Sequence, residues 1–198
     1  MRAASRRWGH LVLIPCLLLA TTGCTSEDDS ERPEPAGSDS TSPGAPAAPL
    51  PPLPEDGQRL RCADAVTTTP APGEQYRVVA AAVTVPSTVV QPHESSEAPG
   101  PTRLFAKWGL HVRAGAAVEV RVAPGWEDRA RIGGGPGTVP TTTVQVEACP
   151  AASASAAWSV YTGGTWVANP ACVPLVIQSQ GRQAEVRLAV GAACDGGT

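Results

Sequence analysis

The stretch that decides the fold is AAVEVRVAP, residues 116–124. Val118, Val120 and Val122 fall on one side of an extended chain, and Glu119 and Arg121 on the other. Successive side chains of a strand point to opposite faces, so this alternation describes a strand with one apolar face and one wet face. TTVQVEAC (142–149) repeats it with Val144 and Val146 against Gln145 and Glu147. AEVRLAVG (184–191) does so again with Val186, Leu188 and Val190. YRVVAAAVTV (76–85) is apolar on both faces and reads as a central or doubly covered strand.

Turn signals separate these runs: Ala71-Pro72-Gly73, Pro99-Gly100-Pro101, Pro124-Gly125, Gly133 to Gly137, Gly163-Gly164 and Gly181. No segment carries a helical period with caps. Many short strands at this spacing imply an all-β domain, an antiparallel β-sandwich of immunoglobulin-like type, over residues 59–198. Within GLHVRAGAAVEV (109–120), placing Leu110 and Val112 on the face of Val118 and Val120 predicts a hairpin centred on Gly115. That register sets His111 opposite Glu119 on the solvent face.

The residues before this domain are of two kinds. Arg2, Arg6 and Arg7 precede an apolar run from Leu11 to Ala20, the pattern of a secretory leader. The run is too short to span a bilayer, which takes about 20 apolar residues. From Thr25 to Gln58 the chain is rich in Pro, Ser, Ala and acids, and PGAPAAPLPPLP (43–54) favours polyproline II. Such a composition buries too little to offset its ordering entropy, so 24–58 is expected to be a disordered tether. At ~3.1 Å per residue it would reach on the order of 100 Å when extended.

The chain carries a net charge of −3, and loss of the leader's three arginines takes it to −6. The sequence shows no basic cluster and a single lysine, Lys107, so nucleic-acid binding has no electrostatic footing.

Thr21-Thr22-Gly23-Cys24 resembles the lipobox of bacterial lipoproteins, with Thr21 standing where that family usually has Leu. The resemblance implies cleavage after residue 23, a diacylglyceryl group on the Cys24 sulfur, and a membrane as first partner. KWGLHVRAG (107–115), VEACP (146–150), YTGGTWVANPACVPLVI (161–177) and VRLAVGAAC (186–194) together resemble small exported lipoproteins of actinobacteria with no assigned activity. That likeness implies anchoring, disulfides and a β-fold, and carries no catalytic residue.

Cys16 leaves with the leader. Cys62, Cys149, Cys172 and Cys194 are then an even set in an oxidising compartment, which reads as two disulfides. Of three connectivities, Cys62–Cys194 with Cys149–Cys172 is preferred, tying the two ends of the domain. Zinc sites favour closer spacing or nearby histidines, so no metal or cofactor is expected.

The domain's histidines, His93 and His111, fit no metal or catalytic motif. G-x-S-x-G is absent, GGGPG (133–137) lacks the Lys-Ser/Thr of a phosphate loop, and no acid–base carboxylate pair stands out beside Glu127-Asp128. Trp158 is expected in the core between the sheets. Trp126, in APGWEDR (123–129), and Trp166, after Thr162-Gly163-Gly164-Thr165, are candidate exposed rings for a sugar or a partner. The expected function is a lipid-anchored extracytoplasmic binding module for an envelope protein or glycan. Carbohydrate binding through Trp126 and Trp166 is the second reading, and a hydrolase without a recognisable motif the third.

Overall fold

The computed structural model describes residues 49–96 and 100–194. The leader, Cys24, most of the tether and Glu97 lie outside the described residues. Twelve strands form an antiparallel β-sandwich, as the alternation predicts.

The strands are β1 (Gln58–Leu60), β2 (Thr67–Thr69), β3 (Tyr76–Val79), β4 (Val83–Pro86), β5 (His93–Glu94), β6 (Leu104–Arg113), β7 (Val118–Val122), β8 (Ala130–Gly134), β9 (Thr143–Val146), β10 (Trp158–Val167), β11 (Ala171–Ser179) and β12 (Arg182–Val190). Sheet A runs β1-β9-β7-β11-β12, with β1 parallel to β9 and every other pair antiparallel. Sheet B is built on β6 and β10, which pair from Leu104↔Val167 to Arg113↔Trp158. Beyond β10 lie β2 and β8; beyond β6 lie β4 and β5, with β3 outermost beside β4.

The core lies between the sheets. Sheet B contributes Trp108, Leu110, Val112 and Tyr161, and sheet A contributes Val118, Val120, Val144, Val173, Leu175, Ile177 and Leu188. Full burial of such side chains contributes about 1.5–3 kcal/mol each relative to exposure.

Four expectations are corrected. The hairpin at Gly115 is a crossing between sheets: β6 belongs to sheet B and β7 to sheet A. Gly115 does take the left-handed conformation (φ 78°), and its N–H donates to the Cys149 carbonyl at 2.7 Å. Leu110 and Val118 do share the core, but from opposite walls. A hairpin and a crossing bury the same alternating residues, so periodicity alone does not distinguish them. His111 therefore pairs with Val160 and Glu119 with Gln145, and the two never face each other.

YRVVAAAVTV is two strands, β3 and β4, joined through Ala80 and Ala81 at φ 49° and 57°. Alanine rarely enters the left-handed region, which costs about 1–2 kcal/mol per residue, so the sequence carries no turn signal there.

The ordered domain begins before residue 59. The Pro51 carbonyl accepts from Gln145 Nε2 at 2.8 Å, Asp56 Oδ2 accepts from the Thr142 hydroxyl at 2.8 Å, and Leu60 is buried. The last residues assigned to the tether thus lie against sheet A.

The four cysteines form two disulfides, but with a different pairing: Cys62–Cys149 and Cys172–Cys194. Cys62 follows β1 and Cys194 follows β12, at opposite edges of sheet A. Four strand spacings of about 4.8 Å separate those edges, whereas a disulfide needs Cα atoms closer than ~7 Å. The preferred end-to-end bond is thereby ruled out. Cys62–Cys149 extends the β1–β9 pairing, and Cys172–Cys194 closes the β11–β12 ladder.

Digestion without reduction should release one linked peptide pair carrying Cys62 with Cys149 and another carrying Cys172 with Cys194. Replacing Cys62 and Cys149 together by Ser should lower stability by about 2–5 kcal/mol in urea titrations. A Cys62–Cys194 peptide would overturn the strand order.

Candidate functional site

Strand parity sorts the residues of sheet B. Ala106, Trp108, Leu110 and Val112 of β6 point to the core, so Phe105, Lys107, Gly109, His111 and Arg113 point outward. The β10 ladder then turns Trp158, Val160, Thr162, Gly164 and Trp166 outward as well. Arg131 and Gly133 of β8 join them across from Trp166 and Gly164. Charged side chains at outward positions of this sheet are Lys107, Arg113 and Arg131, with no carboxylate among them. Pairing thus gathers into one face cations that are scattered along an acidic chain.

Most of this face is paved with rings. Trp166 is 1% exposed. Phe105 lies tilted against it with centroids 4.5 Å apart, and His93 meets the edge of Phe105 at 5.5 Å. At the other end Arg113 covers the Trp158 ring at 4.5 Å. Between them, Tyr76 stands edge-on to His111 at 4.4 Å, and the Gly109 N–H donates to the Tyr76 hydroxyl at 3.3 Å.

The glycines set the depth of this surface. A Cβ on Gly164 would lie 2.3 Å from the Phe105 ring, and one on Gly133 would lie 2.6 Å from the Thr138 side chain. Phe105 therefore closes over β10, and the Thr138–Val139 segment over β8, only because both positions lack a side chain. What stays open is a groove of about 380 Å³ bounded by Phe105, Lys107, Gly135, Gly137, Thr138, Thr162 and Trp166.

Two buried donor atoms on this face have no protein acceptor: Trp166 Nε1 at the groove, and Nη1 of the partly exposed Arg131, which is not among the groove's lining residues. They belong to register partners on adjacent strands. Among the described residues the one ion pair joins Arg121 and Glu119 on sheet A, 3.9 Å apart, so Arg131 has no carboxylate within ion-pair distance there.

The sequence-based candidates fare unequally. Trp166 lines the groove but shows almost no surface. Trp126 is half-buried against the core, with the Arg129 guanidinium 4.3 Å above its ring, and is not brought to Trp166's groove. Trp158 is buried on the outer side of sheet B, and Tyr161 takes the core position expected for it. Glu127 caps its own turn by accepting from the Gly125 N–H at 2.7 Å. Cys24 lies outside the described residues. Phe105, Lys107 and Arg131 were not singled out from sequence. The alternation Phe105-Lys107-Gly109-His111-Arg113 is the signal that could have found the first two.

Among the described residues, the group closest to a metal-ligand set is Cys62, Glu147 and Cys149, whose two sulfurs are bonded to each other. Glu147 instead accepts from the Cys62 N–H at 2.8 Å. Nearby, burial together with the charges of Glu147 and Asp64 pushes the Tyr161 phenol up to about 12. Other concavities among the described residues are larger: about 430 Å³ beside Arg77, Glu185 and Arg187, about 440 Å³ between Pro51–Pro54, Glu119 and Glu127, and about 810 Å³ beside Glu94 and Arg103, and none of the three is lined by a histidine. No protein-family model matches this chain, and no curated protein sequence does either.

His111, 8% exposed, has its Nδ1 2.8 Å from the Thr84 hydroxyl, and burial lowers its pKa below 6.5. The unfolded chain therefore takes up this proton first as pH falls. Stability should be unaffected by this ring above about pH 7 and should decline from there toward the lowered pKa, levelling off beneath it. Urea midpoints measured from pH 8 to 5 should fall for the native chain, and the fall should shrink in His111→Gln. An equal slope in the variant would remove His111 as its cause.

Gly164→Ala should displace the Phe105 ring, cost about 1–3 kcal/mol, and redshift tryptophan emission as Trp166 gains solvent. Unchanged emission and stability would contradict the packing described for the groove.

Proposed function

We propose that this chain is an exported, lipid-anchored binding module of the cell envelope that performs no chemistry of its own. The observation that carries the reading is the engagement of all four domain cysteines in two disulfides. Such bonds persist in oxidising compartments and are rare where thiols are kept reduced. The leader-like start and Thr21-Thr22-Gly23-Cys24 supply the route and the anchor. Two acyl chains hold a protein at a membrane where one does not, at about 0.8 kcal/mol per buried methylene. Among the described residues no helix is long and apolar enough to cross a membrane.

Binding is favoured over hydrolysis by the surroundings of the two histidines. His111 contacts Thr84 and Tyr76, and His93 contacts Phe105. Among the described residues neither has a carboxylate hydrogen-bond partner that would orient it as a general base. Carbohydrate recognition through Trp126 and Trp166 as a pair loses its footing, because the two rings are held separately and neither presents an open face. On the outer face of sheet B, partly exposed Phe105 and exposed His93 offer accessible aromatic surface.

Mass spectrometry of the mature protein should find a diacylglyceryl-modified Cys24 at the N-terminus. Cell fractionation should place the native chain with the membrane and Cys24→Ser in the soluble fraction. A native chain recovered free, with an unmodified thiol at residue 24, would defeat the anchor.

A further inference from the structure

Trp166 and Arg131 face each other across β10 and β8, and each holds a buried donor with no protein acceptor. A buried donor without a partner is costly, and more so when the group is charged. Native structures keep few such groups, and two as register partners share one need: an acceptor that brings negative charge. Arg matches that need specifically, because its planar fork suits carboxylate and phosphate oxygens.

The surroundings narrow the ligand. Lys107 lies on the same face, paired with Gly164 one step along β10, and is exposed. Phe105 and the exposed His93 offer apolar ring surface next to these donors. Cationic donors beside an accessible aromatic edge suit a sugar ring that bears an acidic group: its C–H face packs on the rings while its oxyanion meets Arg131.

We infer that the outer face of sheet B binds an acidic saccharide, with its carboxylate or phosphate held between Arg131 and Trp166 and Lys107 adding attraction from the rim. Both donors lie beneath the surface. Binding therefore requires the side chains around these two atoms to move. The inference deepens the envelope-binding reading and rests on it for the ligand's setting.

The test uses the full chain, disulfides intact, in mild detergent. Oligogalacturonate supplies carboxylate, a sugar-phosphate oligomer supplies phosphate, and dextran of equal length is the neutral control. At low ionic strength at least one acidic oligomer should bind and dextran should not. The Trp166 indole N–H resonance, assigned with Trp166→Phe, should shift on binding. Arg131→Gln should weaken binding tenfold or more, while Arg121→Gln on sheet A should not. Which oligomer binds separates carboxylate from phosphate as the source.

Equal binding of dextran, an unmoved Trp166 resonance in the native chain, or no binding of either acidic oligomer would overturn the inference. The resonance is read on unmutated protein, so a misfolded Arg131→Gln leaves the test decisive. Failure here leaves the Cys24 result untouched. A chain that proves unlipidated yet binds acidic oligomers would instead defeat the anchor and keep this site.

Discussion

The ten-residue ladder between β6 and β10 is the constraint on which the rest of this molecule depends. Its two strands are covered on both sides: inward by the core, outward by a pavement of Trp158, Trp166, Phe105 and the His111–Tyr76 pair. Each neighbouring strand of sheet B is short and attaches to one end of this ladder. β2 and β8 divide one flank, and β4 and β5 the other. A one-residue slip would send Trp108 and Leu110 to solvent and force Lys107 and Arg113 into the core. The alternation of buried apolar and outward charged residues along β6 therefore fixes the register.

From this ladder follow both the candidate site and its chemistry. Antiparallel pairing sets Trp166 between Phe105 and Arg131, and Gly164 between Lys107 and Gly133. The two glycines let Phe105 close over β10 and Thr138 over β8, against the Trp166 ring, whose indole N–H has no protein acceptor. The same geometry collects cations on one face. Charge that is unremarkable along the chain becomes a local field once strands from distant segments are aligned. The disulfides act elsewhere, on sheet A, where they pin its two edges to their neighbours and limit the entropy of the unfolded chain.

Legibility in the sequence followed the kind of information each feature needs. The strands of AAVEVRVAP, TTVQVEAC and AEVRLAVG were readable because a one-sided sheet leaves a period of two. Gly115 was readable as a left-handed turn, but the sheet change it accompanies was not, since both walls of a sandwich demand the same alternation. Ala80 and Ala81 hid a turn behind residues that seldom make one. The cysteines announced two bonds, yet their pairing depended on the order β1-β9-β7-β11-β12, which no local signal encodes. Arg131 was invisible as a site residue for the same reason: its neighbour is Trp166, thirty-odd positions away, and only strand pairing brings the two together.

Residue-resolved hydrogen exchange tests the account most directly. The amides of Leu104–Arg113 and Trp158–Val167 that lie within the ladder should exchange last, together, and only through global unfolding, with rates that track urea stability. Exchange of these amides well before those of β11 and β12, or of the two strands independently of each other, would show that the doubly covered ladder does not organise the fold.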